Sequence, residues 1–459
     1  MRLLGLLHPR GDATRVAYVA AEGARASQEA VDLAIAYAPT RRAAAACAAV
    51  VATDGIVVAL GPGRSAAGAR RLLSAQGLRV DAVFGIRRSS GQALGLLPLD
   101  AHALAHAATT YGAAPPALVA LVRRALNERT LALVASAVPR VAVVARHADA
   151  PPLLAWLDSG HRAPATHAII LGSWRGPRGS AVIDLAPTRE HPRLIAKITF
   201  GAEGAARATA EAQTLQRLGR GAEAAGARVP TVIRLALAGE RPVIVEDAVP
   251  GTPANQVLRL QPARLRELLH GIATWLERWG LATRTPRQDA AILLDESLSL
   301  GPPFDRDLAR RVRGQLHHVR LPLVATHGDL TAANVLVAGR GAIGVVDWQT
   351  ARVHGLPIGD LAYATVDAVR IAGRYPTVVA AYDACFGRST GHGQLVGCLH
   401  RSLAAALGLS PAETWAALCA SWLEHAANEA STADGRAERP FLEIARRAVG
   451  SGIPPALAG

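Results

Sequence analysis

Apolar residues fall into short β-prone runs through the first third of the chain, at 16–20, 55–60, 80–85, 131–135 and 141–145. Runs of this length, bounded by turn residues, mark strands buried on both faces. Ala-rich stretches of helical character, 66–76 and 116–127, lie between several of them. The alternation predicts an α/β layer of mainly parallel strands over residues 1–160. Pro151-Pro152 and residues 161–164 then mark a boundary. Residues 161–250 read as a β-rich segment, with strands at 166–171, 181–185, 194–200, 231–235 and 242–245 and one helix at 205–218. Residues 251–450 turn helical: Leu265, Leu268, Leu269, Ile272, Trp275, Leu276 and Trp279 recur at helical spacing and form a core stripe. Within this part, 335–337 and 343–346 are two short strands joined by a turn at 339–341. Residues 451–459 are a tail.

The length, 459 residues, suffices for two or three domains with large cores. No apolar run approaches the roughly 20 residues that span a bilayer, because Thr53, Asp54 and Gly55 break the best one. The opening Leu-Leu-Gly-Leu-Leu is too short for a secretory leader, so a cytoplasmic protein is expected. Cys47, Cys385, Cys398 and Cys419 lie far apart with no C-x-x-C pair, which favours buried thiols over disulfides or zinc. A formal charge of +14 invites a nucleic-acid reading, yet the arginines are spread along the chain with no dense run, and that reading is set aside. Of the 50 basic residues one is a lysine, Lys197.

Candidate chemistry concentrates between Thr326 and Asp360. His327-Gly328-Asp329 follows a β-prone segment, Asn334 stands five residues on, and Asp347 ends the second short strand. These positions sit on loops and strand ends that can converge. Two carboxylates and an amide oxygen are hard donors that suit Mg²⁺ carried by nucleotide phosphates. Upstream, Gly172, Gly176 and Gly179 punctuate a turn between two strands, where backbone N–H groups can meet phosphate. Lys197 follows in an Ile-Ala-Lys strand, and Glu211 lies on the next helix in an Ala-Glu-x-x-x-Leu context.

This set resembles the protein-kinase-like superfamily, in its aminoglycoside phosphotransferase and choline kinase branch. Asp347-Trp348-Gln349 stands where protein kinases have Asp-Phe-Gly. The resemblance covers about residues 165–445 and implies a bilobal α+β fold with a β-rich small lobe and a helical large lobe. It implies that Lys197, held by Glu211, contacts the α- and β-phosphates of ATP or GTP. Glu246 would open the hinge whose backbone meets the base. Asn334 and Asp347 would hold Mg²⁺, Asp329 would act as base or orienter, His327 would brace the loop, and Asp360 would tie it down. Only twelve residues separate Asp347 from Asp360, which leaves little room for a peptide-docking loop and favours a small-molecule acceptor. Acids between Glu413 and Glu443 could line its pocket. Residues 61–85 faintly resemble class I methyltransferases, without an upstream Gly-x-Gly-x-Gly. Two rival readings stand beside the kinase: a non-catalytic nucleotide-binding regulatory module, and a two-domain transferase with a second activity in residues 1–160.

Overall fold

The computed structural model describes residues 4, 6–8, 15–19, 30–37, 39–88, 94–110, 130, 134, 136–157, 168–175, 178–185, 193–200, 204–239, 241–292, 305–317, 319–387, 391–432, 439–454 and 457. They divide into two units: Met1–Ala212 with Val232–Ala248, and Gln213–Thr231 with Val249–Gly459.

The first unit is built on one sheet. Its strands are β1 (Val16–Val19), β2 (Val31–Tyr37), β3 (Val51–Gly61), β4 (Leu78–Arg88), β5 (Leu94–Pro98), β6 (Val141–His147), β7 (Ala168–Arg175), β8 (Arg178–Leu185), β9 (Leu194–Phe200), β10 (Val232–Ala238) and β11 (Arg241–Asp247). They lie in the order β1-β2-β3-β6-β4-β5-β7-β8-β9-β11-β10. Successive side chains on a strand point to opposite faces, and here both faces are covered. Leu33, Ile35, Ile56, Val58, Phe84 and Val144 face a core with Leu6, Leu7 and Leu153, which continues under Ile183, Ile198 and Val245. Ala34, Ala36, Val57 and Val143 face the other way, onto helices α1 (Arg41–Val50) and α2 (Ala66–Ser74). On that second side Ala208 and Ala212 of α4 (Gly204–Ala225) pack on Ile244. Between α2 and α4, α3 (Ala101–Thr110) follows β5.

The expectation of mainly parallel strands is corrected. Only β1–β2 and β2–β3 run parallel. From β3 onward each pairing is antiparallel, because β6 returns between β3 and β4. Continuous apolar runs reported burial on two faces, and they carry no information about strand direction. Strands β2 and β5 add to those expected. Asp32 interrupts the apolar run of β2, and Gly95 and Pro98 give β5 the look of a turn. Of the strand expected at 131–135, only Val134 is described, and it is helical. The helix expected at 116–127 lies outside the described residues. The Pro-rich stretch at 151–164 falls within the first unit, and β5 and β7 on either side of it are neighbours in the sheet.

The second unit is mainly helical: α5 (Ala254–Leu260), α6 (Leu265–Thr283), α7 (Arg306–Leu316), α8 (Gly359–Ala372), α9 (Val378–Phe386), α10 (Gly391–Leu407), α11 (Pro411–Thr432) and α12 (Pro440–Ser451). The stripe on α6 is buried, Trp275 and Trp279 included. Short strands punctuate the helices: β12 (Thr252–Pro253), β13 (Arg287–Asp289), β14 (Arg320–Pro322), β15 (Val324–Thr326), β16 (Val335–Val337), β17 (Ile343–Val345) and β18 (Arg352–Gly355). β12, β16 and β17 form a three-stranded sheet, and β15 pairs with β18. Among the described residues no single helix is long and apolar enough to cross a membrane.

The first unit also buries a charge. Asp184 on β8 is 0% exposed, gripped by Arg193 Nε and Nη2 at 2.9 Å each, with His106 Nε2 at 3.0 Å. Burial works to raise its pKa, but the His106 and Arg193 hydrogen bonds outweigh it and hold the carboxyl well below its usual range. Its ionised form therefore stabilises the fold above about pH 4, and that contribution fades as pH falls toward the folded pKa. Arg193→Ala leaves the buried carboxylate short of a partner. It should cost about 3–5 kcal/mol at pH 7 in denaturant melts, with the gap to wild type narrowing in acid as Asp184 protonates. A gap independent of pH would show that packing, and not charge, carries the effect.

Candidate active site

Two groups of side chains, one in each unit, carry the expected chemistry. On β9, Leu194, Ala196 and Ile198 point into the core, so Lys197 emerges on the face covered by α4. Its Nζ lies 2.9 Å from Glu211 Oε1 on α4 and 2.9 Å from Glu246 Oε1 on β11. The register that pairs Lys197 with Ile244 puts Glu246, two residues on, on the same face. All three side chains are buried. An ammonium taken out of water costs several kcal/mol, and two carboxylates at contact distance offset this. Glu246 thus joins the lysine through its carboxylate, and its backbone is part of the β11 ladder.

The glycine turn is shorter than expected. β7 runs to Arg175 and β8 starts at Arg178. Gly172 is paired on both sides, with Leu94 and Ala181, and Gly179 faces Trp174 and Phe200. Their place in the ladder corrects the expectation that both sit in a phosphate-cradling turn. Gly176 lies outside the described residues.

In the second unit β15 delivers His327-Gly328-Asp329 to the start of α8. Asp360, in the first turn of that helix, accepts hydrogen bonds from the backbone N–H of His327 at 2.7 Å and of Gly328 at 2.9 Å. Gly328 has φ +77°, and a Cβ there would stand 2.7 Å from the Thr350 carbonyl oxygen, so only glycine fits. His327 Nδ1 accepts from the Asp329 N–H at 3.3 Å, which leaves Nε2–H to donate to the Val346 carbonyl at 2.9 Å. Its ring sits edge-on to Trp348 at 4.9 Å, and Trp348 packs on Trp279 at 5.3 Å. The stripe on α6 therefore braces the loop as well as the core. Asp367, two turns along α8, accepts from the Ala332 N–H at 2.9 Å.

Asn334 and Asp347 complete the group. Asn334 Nδ2 donates to the Asp329 carbonyl at 2.9 Å and reaches Asp329 Oδ2 at 3.3 Å, so its Oδ1 is the end not engaged there. Asp347 adopts φ +69°, a left-handed conformation that a short polar residue tolerates at a functional position. Its Oδ1 is buried with no hydrogen-bond partner. Burial, and then the charge of Asp347, push the Asp329 carboxyl up to about 6, against hydrogen bonds from the Tyr363 hydroxyl and Asn334. Tyr363, Asp367 and Thr350, whose hydroxyl donates to the His327 carbonyl at 2.9 Å, were not anticipated. The spacing of Asp360, Tyr363 and Asp367 at i, i+3 and i+7 puts them on one helix face, which is the signal that could have found two of them.

Among the described residues no group of three or more His, Cys, Asp or Glu is placed to hold a metal ion. Asn334 and Asp347 nevertheless fit Mg²⁺, which takes one or two protein oxygens and completes its shell with water and phosphate. The orphaned Asp347 oxygen and the repulsion between Asp347 and Asp329 are what a cation would relieve.

A strand lysine held by two acids, and a His-Gly-Asp loop tied to the aspartate of a following helix, are the features expected of a kinase-like phosphotransferase. Residues 185–395 match the model of the phosphotransferase enzyme family, and over that stretch the chain is similar to it. No curated protein matches the chain. Among solved structures, the chain is similar to APH(4)-Ia at 13% identity and TM-score 0.41, over 62% of this chain and 93% of that one. The GDP and kanamycin complex of APH(2")-IIia gives 13%, 0.37, 61% and 92%. APH(3'')-Id from Streptomyces rimosus gives 15%, 0.34, 53% and 89%. The family match does not reach residues 61–85, where the methyltransferase likeness lay.

Because Lys197 is the chain's one lysine, its contact with phosphate can be read directly. An acyl-phosphate derivative of ATP should acylate a single lysine peptide, and excess ATP should suppress the label. Labelling that ATP leaves untouched would separate Lys197 from the nucleotide.

Proposed function

We propose that the enzyme transfers the γ-phosphoryl group of ATP or GTP to a hydroxyl of a small acceptor, a sugar, amino alcohol or aminoglycoside, with Mg²⁺ as cofactor. The observation that carries this reading is the trio Asp329, Asn334 and Asp347, with one buried Asp347 oxygen unpartnered and Asp329 raised by burial and then by its neighbour's charge. Phosphoryl transfer runs on positioning and charge neutralisation. Lys197, kept in place by Glu211 and Glu246, holds the α- and β-phosphates. Asn334 Oδ1 and Asp347 would hold Mg²⁺, which would offset charge on the phosphate oxygens. Asp329 accepts the hydrogen bond of the acceptor hydroxyl and takes its proton as the oxygen attacks phosphorus and the bond to the β-phosphate oxygen breaks. Hydrogen bonds from the Tyr363 hydroxyl and from Asn334 orient the Asp329 carboxyl for this role. Asp360 and Asp367 fix the loop that carries it.

Acceptor-dependent turnover of ATP and GTP with Mg²⁺ tests the reading. Asp329→Ala should cut it by about 10²-fold or more while nucleotide still binds. Equal turnover in the two proteins would remove Asp329 from the chemistry.

A further inference from the structure

The described acids among those that the sequence offered for an acceptor pocket have other partners. Glu413 pairs with Arg287 and caps α11, accepting from the Ser410 N–H at 2.8 Å. Glu424 reaches Arg352 at 2.8 Å, Glu429 accepts from the Phe441 N–H at 3.1 Å, and Glu443 reaches Arg447 at 2.9 Å. What adjoins Asp329 instead is aromatic. The Tyr363 hydroxyl donates to the Asp329 carboxylate. Its ring lies 4.3 Å from that of His425 on α11 and 5.5 Å from that of Phe441 on α12. All three residues keep part of their surface exposed, while Trp422 is buried behind them.

We propose that Tyr363, His425 and Phe441 form the acceptor surface beside Asp329, and that it takes a neutral hydroxylated ring, a monosaccharide unit, in preference to a polycation. The proposal rests on the phosphotransferase reading above and names its substrate class. A sugar ring offers an apolar C–H face to an aromatic wall and hydroxyls at its rim, one of which meets Asp329. A polycationic aminoglycoside needs carboxylates that are not already matched, and those of α11 and α12 are matched to arginine or to backbone N–H groups. An aromatic wall could attract a cation through its π faces, but Arg352 opposes one here. Burial, and then Arg352, lower the His425 pKa to about 4, so the wall itself is uncharged at neutral pH.

The test uses the full-length enzyme with Mg²⁺-ATP and three acceptor sets: neutral hexoses and methyl hexosides, choline-like amino alcohols, and aminoglycosides. The neutral sugars should give the highest kcat/KM. Phe441→Ala should raise the sugar KM by about 3- to 10-fold, the scale of one lost ring contact, more than it lowers kcat, and leave the ATP KM alone. Phe441→Tyr should restore it. Saturation-transfer NMR on the wild-type enzyme gives a readout free of any folding defect: aromatic irradiation should pass to the sugar C–H protons. Preference for aminoglycosides or amino alcohols, or a sugar that receives no saturation, overturns the assignment while leaving the kinase intact. No transfer to any acceptor, with no nucleotide bound, would sink the kinase reading and this one with it.

Discussion

A carboxylate taken out of water has to be met by donors or by a cation, and this constraint organises both units. Asp184 is met by Arg193 and His106, and Glu211 and Glu246 by the lysine they share. Asp360 and Asp367 are met by backbone N–H groups of the loop that holds Asp329. In each case the pairing fixes a piece of chain that has no regular structure of its own, or a side chain that must not drift. Against that background Asp329 and Asp347 stand out. They repel each other, and a buried oxygen of Asp347 lacks a hydrogen-bond partner. Unmet charge of this kind lowers stability, so its persistence points to a role.

The sheet shows how the first part of the chain serves the second. Strands β9 and β11 carry Lys197 and Glu246, and β7 would be an exposed edge if the sheet ended there. Unpaired edges invite association with other chains. Pairing β5 to β7 covers this one, and β1 to β6 continue the same sheet. Use of arginine at 49 of the 50 basic positions sharpens the meaning of Lys197. A guanidinium is a planar fork, while an ammonium is a compact point charge that two carboxylates can hold from different directions.

Much of the site was legible because its parts are close in sequence. His327, Asp329, Asn334, Asp347 and Asp360 span one loop, one hairpin and one helix start, so spacing alone limits where they can go. The Lys197–Glu211 contact could be read because a strand and the helix after it have few ways to pack. Glu246 was read only for its backbone, since its approach to Lys197 depends on the register of β11 against β9, which no local pattern encodes. Strand direction was lost for the same reason, and the glycines of β7 and β8 looked like a turn because the ladder that claims them is non-local. Tyr363 was legible by helical spacing from Asp360, yet an aromatic on a core helix suggests packing first. Its hydroxyl gives it the second role.

Calorimetric titration of nucleotide with and without Mg²⁺, on wild type and Asp347→Asn, tests the central claim that unmet charge marks the site. Mg²⁺ should tighten nucleotide binding to the wild type and do little for the variant, whose uncharged side chain no longer draws the cation. Equal Mg²⁺ dependence in the two proteins would mean that the buried Asp347 oxygen is not waiting for a metal, and the account of this site would fail.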